Sequence, residues 1–173
     1  PSEDWLKELH SFGWLRHLRA ADTPLARSNA RANVEDWLAM HRRPGGEIVW
    51  DADVAARRAM SFLAQSPLIL HDADHDLYQR FVRSLLRHAN VLRSAASSAE
   101  PGLPRLQAAI ALALIGMSLT QQERLARAGL DRLDAELQGQ ILPDGGHISR
   151  NPAALVDILV DLLPPRQAPI ARG

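Results

Sequence analysis

The sequence predicts an all-α fold built from antiparallel helical hairpins. Apolar residues recur at helical spacing in most segments, helix-starting and helix-breaking residues separate them, and no two alternating stretches could pair as strands. One stretch, RLQAAIALALIGMSL at 105–119, is apolar nearly all round, which is how a helix covered on both sides reads.

About seven helices follow from this pattern. In the first segment, Ser2, Glu3 and Asp4 suit a helix N-terminus, and Trp5, Leu6, Leu9, Phe12 and Leu15 or Trp14 form one buried face that Gly13 breaks or kinks. A second helix is expected from Thr23 to Arg42, with Pro24 in its first turn and Leu25, Val34, Trp37, Leu38 and His41 inward. Pro44, Gly45 and Gly46 end it. Ile48-Val49-Trp50 is β-prone and is expected to be an extended linker, after which Asp51 or Asp53 caps a third helix reaching Gln65. SPLILHDADHD, 66–76, is expected as a loop with an apolar plug.

A long helix from Asp74 to Ser97 then buries Leu77, Phe81, Leu85, His88 and Leu92, and SSAEPGLP breaks the chain. After the wholly apolar helix comes an amphipathic one, 120–142, with Thr120 and Glu123 placed as a capping box. The last helix starts at Asn151-Pro152 and is expected to stop at Pro164-Pro165. Lengths vary without a strict repeat, which disfavours tetratricopeptide or ankyrin arrays. An inner apolar helix among amphipathic ones suggests layered packing, as in a bundle or an α/α toroid.

The 173 residues fit a single domain, 1–173, long enough to bury a core. With 46% hydrophobic and 23% charged residues the composition is that of a globular protein. Basic and acidic residues balance at 20 each, which argues against nucleic acid bound by bulk charge. The cations are arginines apart from Lys7, and arginine makes planar, bidentate contacts to oxyanions. There is no cysteine, so disulfides, zinc–thiolate sites and thiol nucleophiles are excluded. No apolar run approaches the ~20 residues of a membrane span. The chain starts at Pro1 and shows no signal-peptide pattern, so it is expected to be a processed product or an excised piece, and its compartment is not legible.

One loop concentrates polar chemistry. In QILPDGGHISRNPAAL, 140–155, Asp144-Gly145-Gly146 is a turn signal, and His147, Ser149, Arg150 and Asn151 follow at once. His147 is the histidine best placed to use both ring nitrogens, while Asn151 before Pro152 is also a natural N-cap. His71 and His75 share a stretch with Asp72, Asp74 and Asp76, but acids and histidines alternating in an irregular loop fit no single coordination sphere, so no metal is expected. Of the four tryptophans three are expected in the core, with Trp14, after the break at Gly13, lining a cleft. No serine elbow, Walker loop or dinucleotide fingerprint occurs.

ELHSFGWLRHLRA, GLPRLQAAIALALIGMSL and QILPDGGHISRNPAALVDILVDLLPPRQ together resemble the N-terminal helical region of heparinase II/III-like proteins. The resemblance implies an incomplete α/α toroid of helical hairpins, normally followed by a β-sandwich that this chain does not contain. It implies a polysaccharide lyase cutting uronate-containing glycans by β-elimination, with an acidic polysaccharide or oligosaccharide as partner, no cofactor, and a periplasmic setting. His147 would then transfer a proton, Asn151 would contact the carboxylate, and Arg150, Arg105, Trp14 and Ser149 would bind substrate.

Set on the family pattern D-G-x-H-x-E-x-S-P-x-Y-H, Asp144, Gly145, His147 and Pro152 match. Ser149, Asn151, Ala154 and Leu155 stand where the glutamate, serine, tyrosine and histidine would be, and Leu103-Pro104 falls near the family's Asn-His pair. Alanine transfers no proton. The alternative reading is therefore a non-catalytic helical domain that binds glycan, serves as scaffold or engages other proteins.

Overall fold

The computed structural model describes residues 1–45, 48–98 and 100–167, with only the backbone described for 164–167. Among these residues the fold is all-α, as expected. The helices are α1 (Glu3–Ser11), α2 (Leu15–Ala21), α3 (Pro24–Met40), α4 (Ala52–Ala64), α5 (Ser66–Ile69), α6 (His75–Ser98), α7 (Leu103–Ser118), α8 (Glu123–Gln140) and α9 (Pro152–Gln167), with a 3₁₀ turn at Ile48–Trp50. The chain forms two compact units, Pro1–His88 and Ala89–Gly173.

In the first unit, Ser2 caps α1 and Thr23 caps α3 through their side-chain oxygens, as small hydroxyl residues do at helix starts. The break between α1 and α2 arrives one residue before the glycine: buried Phe12 itself takes the left-handed conformation, at φ 58°. Its ring packs 4.9 Å from Phe62, and that burial holds a bulky residue in a backbone region it seldom visits. Several expectations are corrected here. Trp5, Leu9 and Leu25 are exposed, because α1 and α3 bury narrower faces than a count of apolar residues suggests. Ile48–Trp50 is a 3₁₀ turn, which tucks Val49 and Trp50 inward, and Ser66–Ile69 forms a short helix. Helix α3 ends at Met40 rather than Arg42, and Gly46 of its expected stop lies outside the described residues; Ala99, in the break after α6, lies outside them too.

The core of this unit surrounds a cation. Arg58 of α4 is fully buried, its guanidinium 4.2 Å from the centre of the Trp37 ring and 5.1 Å from that of Trp50. Nε donates to His88 Nε2 at 2.8 Å, and Nη1 donates to the carbonyls of Val49 (2.8 Å) and His10 (3.0 Å). No carboxylate pairs with it among the described residues; ring faces and carbonyl dipoles carry the charge instead. Burial pushes the Arg58 pKa down to about 9, which leaves it charged at neutral pH. The arginine therefore fastens α1, the 3₁₀ turn, α4 and α6 to one another.

His88 accepts that bond and donates from Nδ1 to the Ser84 carbonyl at 2.7 Å, which fixes its neutral tautomer. Burial, and then the Arg58 charge beside it, pushes its pKa down to about 3 from an ordinary 6.5. The unfolded chain takes up a proton at this residue near pH 6.5, whereas the folded chain resists until about pH 3. Its stabilising effect is thus complete above pH 6.5 and shrinks as pH falls through that window, by about 1 kcal/mol per pH unit. Urea unfolding at pH 7, 6, 5 and 4 should show this decline, and His88→Gln, whose amide oxygen can still accept from Arg58, should flatten it. An equal slope in wild type and variant would contradict this account.

In the second unit α7 is the centre, buried at every position from Leu106 to Gly116. It packs antiparallel to α8 through small residues. A Cβ added to Gly116 would lie 2.4 Å from the Ala126 nitrogen, and one added to Gly129 would lie 2.7 Å from the Ala113 Cα, so both glycines bring backbone against backbone. α8 starts at Glu123 with Gln122 at its cap and no side-chain cap bond, which corrects the expected Thr120–Glu123 box. α9 runs through Pro164 and Pro165 to Gln167 rather than stopping at them. Each proline lacks the N–H for one intrahelical bond, and both stand in the last turn, where the helix ends anyway.

Candidate functional site

The loop joining α8 to α9 is a closed structure. Ile141 and His147 form an antiparallel bridge, with Leu142 N–H donating to the Gly146 carbonyl at 2.8 Å and Ile148 N–H to that of Gln140 at 2.9 Å. Gly145, at φ 80°, supplies the turn that an L side chain would resist. Asp144 accepts from the Gly146 N–H (2.9 Å) and from Arg150 Nη1 (2.6 Å). Those contacts, Arg150 first, hold the Asp144 carboxyl below its ordinary value.

Beneath this turn runs a buried polar relay. Arg105 of α7 donates through Nε to Glu136 Oε1 at 2.8 Å, and Arg132 pairs with the same oxygen at 3.0 Å. Gln140 donates to Glu136 Oε2 at 2.8 Å and accepts at 2.9 Å from His147 Nε2. The other ring nitrogen of His147 lies 2.8 Å from Ser149 Oγ and accepts from the Ser149 N–H at 3.2 Å. This order fixes the direction of each bond: Nε2 donates, Nδ1 accepts. Asn151 then caps α9, its Oδ1 accepting from the Ala153 N–H at 3.0 Å.

Five of the six residues singled out in the sequence, Arg105, His147, Ser149, Arg150 and Asn151, thus belong to this loop and relay. They are joined by hydrogen bonds to the protein rather than aimed at open space. His147 is only 1% exposed and both its nitrogens are engaged. Arg150 closes the turn on Asp144, Arg105 serves Glu136, and Asn151 is an N-cap. Trp14 belongs to the first unit, where its Nε1 donates to the Leu9 carbonyl at 3.0 Å and its ring lies 5.1 Å from that of Phe12. Of the tryptophans, Trp37 and Trp50 are in the core and Trp5 is exposed.

Two surface features escaped the sequence reading. Along α9, Val156, Leu159, Val160 and Leu163 are 60, 65, 58 and 52% exposed. They follow i, i+3, i+4, i+7 and so form one apolar stripe on the side opposite buried Ala154 and Ile158. The signal was present: a helix apolar on every side except at Asp157 and Asp161 has more apolar surface than one neighbour can cover. The second feature is a group of arginines, Arg42, Arg80, Arg83 and Arg87, around one small pocket of the first unit. Arginines scattered over 42–87 give no linear motif.

Fold and loop together define a helical domain whose conspicuous polar loop is internally satisfied and which, among the described residues, exposes an apolar helix face and a basic pocket. The chain is 31% identical over 168 residues to "FtsZ-localized protein C" of Caulobacter vibrioides (strain NA1000 / CB15N), a match covering 94% of this chain and 28% of that protein. No family model matches the chain, and no solved structure matches it. The relative's name overturns the expected lyase acting on an acidic glycan, since it places that protein with FtsZ. A histidine buried with both nitrogens engaged is also poorly placed to take a proton from a sugar. Among the described residues, no helix is long and apolar enough to cross a membrane.

Proposed function

We propose that this chain is a non-catalytic protein-interaction domain that packs a helical segment of a partner in an FtsZ-containing assembly against α9. The observation that carries the reading is the exposed stripe Val156-Leu159-Val160-Leu163. It runs for about 10 Å, two helical turns, which is the footprint a second helix covers with its own apolar face. An uninterrupted apolar face of this kind marks an interaction site more often than bare surface. Asp157, partly exposed at one border, favours a basic residue beside the partner's apolar positions. The similarity to an FtsZ-localized protein along 94% of the chain supports the setting.

The resemblance to heparinase II/III-like proteins stands as a proposal about the scaffold alone. In it, antiparallel hairpins such as α7–α8 repeat in an incomplete toroid, without the sugar chemistry. An experimental structure of the full-length protein decides it.

Fluorescent fusions of the full-length protein test the interaction reading. The wild type should coincide with FtsZ in cells, and Leu159→Asp with Val160→Asp should disperse it while leaving the helical circular dichroism of the purified chain unchanged. A wild-type signal indifferent to FtsZ would sink the FtsZ setting. A double variant that still follows FtsZ would sink the role of α9.

A further inference from the structure

We propose that the first unit carries a second docking site, a basic pocket that takes glutamate or aspartate side chains from an acidic, extended segment of a protein partner. It lies in a different unit from the α9 stripe and has the opposite chemistry, so it does not rest on the FtsZ reading.

The pocket, of about 220 Å³, is lined by Leu38, Arg42, Asp76, Arg80, Arg83 and Arg87. Four cations thus face one anion in a chain whose total charge is zero. Arg80 is already held, 2.8 Å from Asp76 and 3.9 Å from Glu35. Among the described residues, Arg83 bonds only to Gln79, through its carbonyl and its amide oxygen. Arg42 and Arg87 make no ion pair among the described residues. Three guanidinium groups that no carboxylate pairs among the described residues therefore line a cleft with buried Leu38 in its wall. Arginine's planar fork matches a carboxylate in two parallel hydrogen bonds, which is where it differs from a diffuse positive surface.

Size and surroundings choose the ligand. A volume near 220 Å³ lies below the ~300–1,000 Å³ typical of small-molecule sites, so it suits side chains of a segment laid across it. Arg42 also borders a neighbouring pocket of about 450 Å³, lined in addition by Arg43, exposed Met40 and Trp50. The path from one pocket to the next offers carboxylate positions followed by an apolar one. A nucleic-acid strand fits less well: Asp76 and Glu35 sit among the arginines, and Trp50 is buried rather than presented for stacking.

The test uses fluorescence anisotropy of a labelled peptide of glutamates interrupted by one leucine, titrated with the whole chain. Saturable binding should appear at low salt and weaken as salt rises, since exposed charges are screened. Arg42→Glu with Arg83→Glu, both exposed, should weaken it at least tenfold with unchanged circular dichroism. Asp76→Asn, which removes the pocket's own competitor, should tighten it several-fold. Arg124→Glu with Arg127→Glu, on α8, should leave it unchanged. The proposal is overturned if the peptide does not bind, or if the α8 variant weakens it as much as the pocket variant. It is overturned equally if single-stranded nucleic acid or anionic phospholipid vesicles bind through these arginines while the peptide does not.

Discussion

Gly116→Ala should destabilise the protein by about 3 kcal/mol, the upper end of what overpacking a tight core costs. Alanine is ordinarily the better helix residue by up to ~1 kcal/mol, so the sign itself is informative. It reverses because the added Cβ would lie 2.4 Å from the Ala126 nitrogen and 2.5 Å from its Cα, and backbone cannot rotate out of the way as a side chain can. Either α8 shifts outward or α7 moves, and α7 is buried from Leu106 to Gly116. Gly129→Ala meets Ala113 in the same manner at 2.7 Å. Gly139, also in α8, has nothing within 4 Å, so Gly139→Ala should be neutral or stabilising. Urea midpoints of the three variants make the comparison, and equal midpoints for Gly116→Ala and Gly139→Ala would refute the close approach.

The second large effect belongs to Arg58. Arg58→Ala should cost about 3–5 kcal/mol, because it opens a cavity between Trp37 and Trp50 and removes three hydrogen bonds donated by the guanidinium. Arg58→Met should cost much less. It fills most of the space and removes the charge whose burial lowers the Arg58 pKa, and buried charges are often replaceable by apolar side chains of similar volume. The comparison separates packing from polarity. If the methionine variant is as unstable as the alanine one, the hydrogen bonds to His88, His10 and Val49 outweigh the packing. Guanidinium unfolding followed by tryptophan fluorescence reads both, since two tryptophans flank the site.

Periodicity made the all-α class and most helix spans legible. Leu77, Phe81, Leu85, His88 and Leu92 lie on the buried face of α6 as their spacing requires. What escaped it depended on partners distant in sequence. Arg58 shares a helix face with Val54, Ala55, Ala59 and Phe62, which was the available clue, yet a charged residue on an apolar face is more often exposed at a border. The spacing alone points Trp5 inward, yet more than half of it is exposed. The polar loop was conspicuous for the residues it contains. Its chemistry turned out to be directed inward, because Glu136 and Gln140 of α8, neither of them notable in the sequence, supply the partners. A motif shows which groups are present; only the fold shows whether they are already satisfied.

That inward direction bears on how the protein can be handled. Two adjacent glycines between helices are the usual choice for inserting an epitope or a fluorescent label, on the assumption that such a turn is slack. Here the turn is spanned by the Asp144–Arg150 clasp and continuous with the chain of groups from Arg105 to Ser149. An insertion at Gly145 would separate residues whose pairing aligns the start of α9, and would tilt the very face offered to a partner. The helix whose surface is exposed for recognition takes its bearing from a buried glutamate one helix away, so a label at this turn would report on a different molecule from the one it was meant to mark.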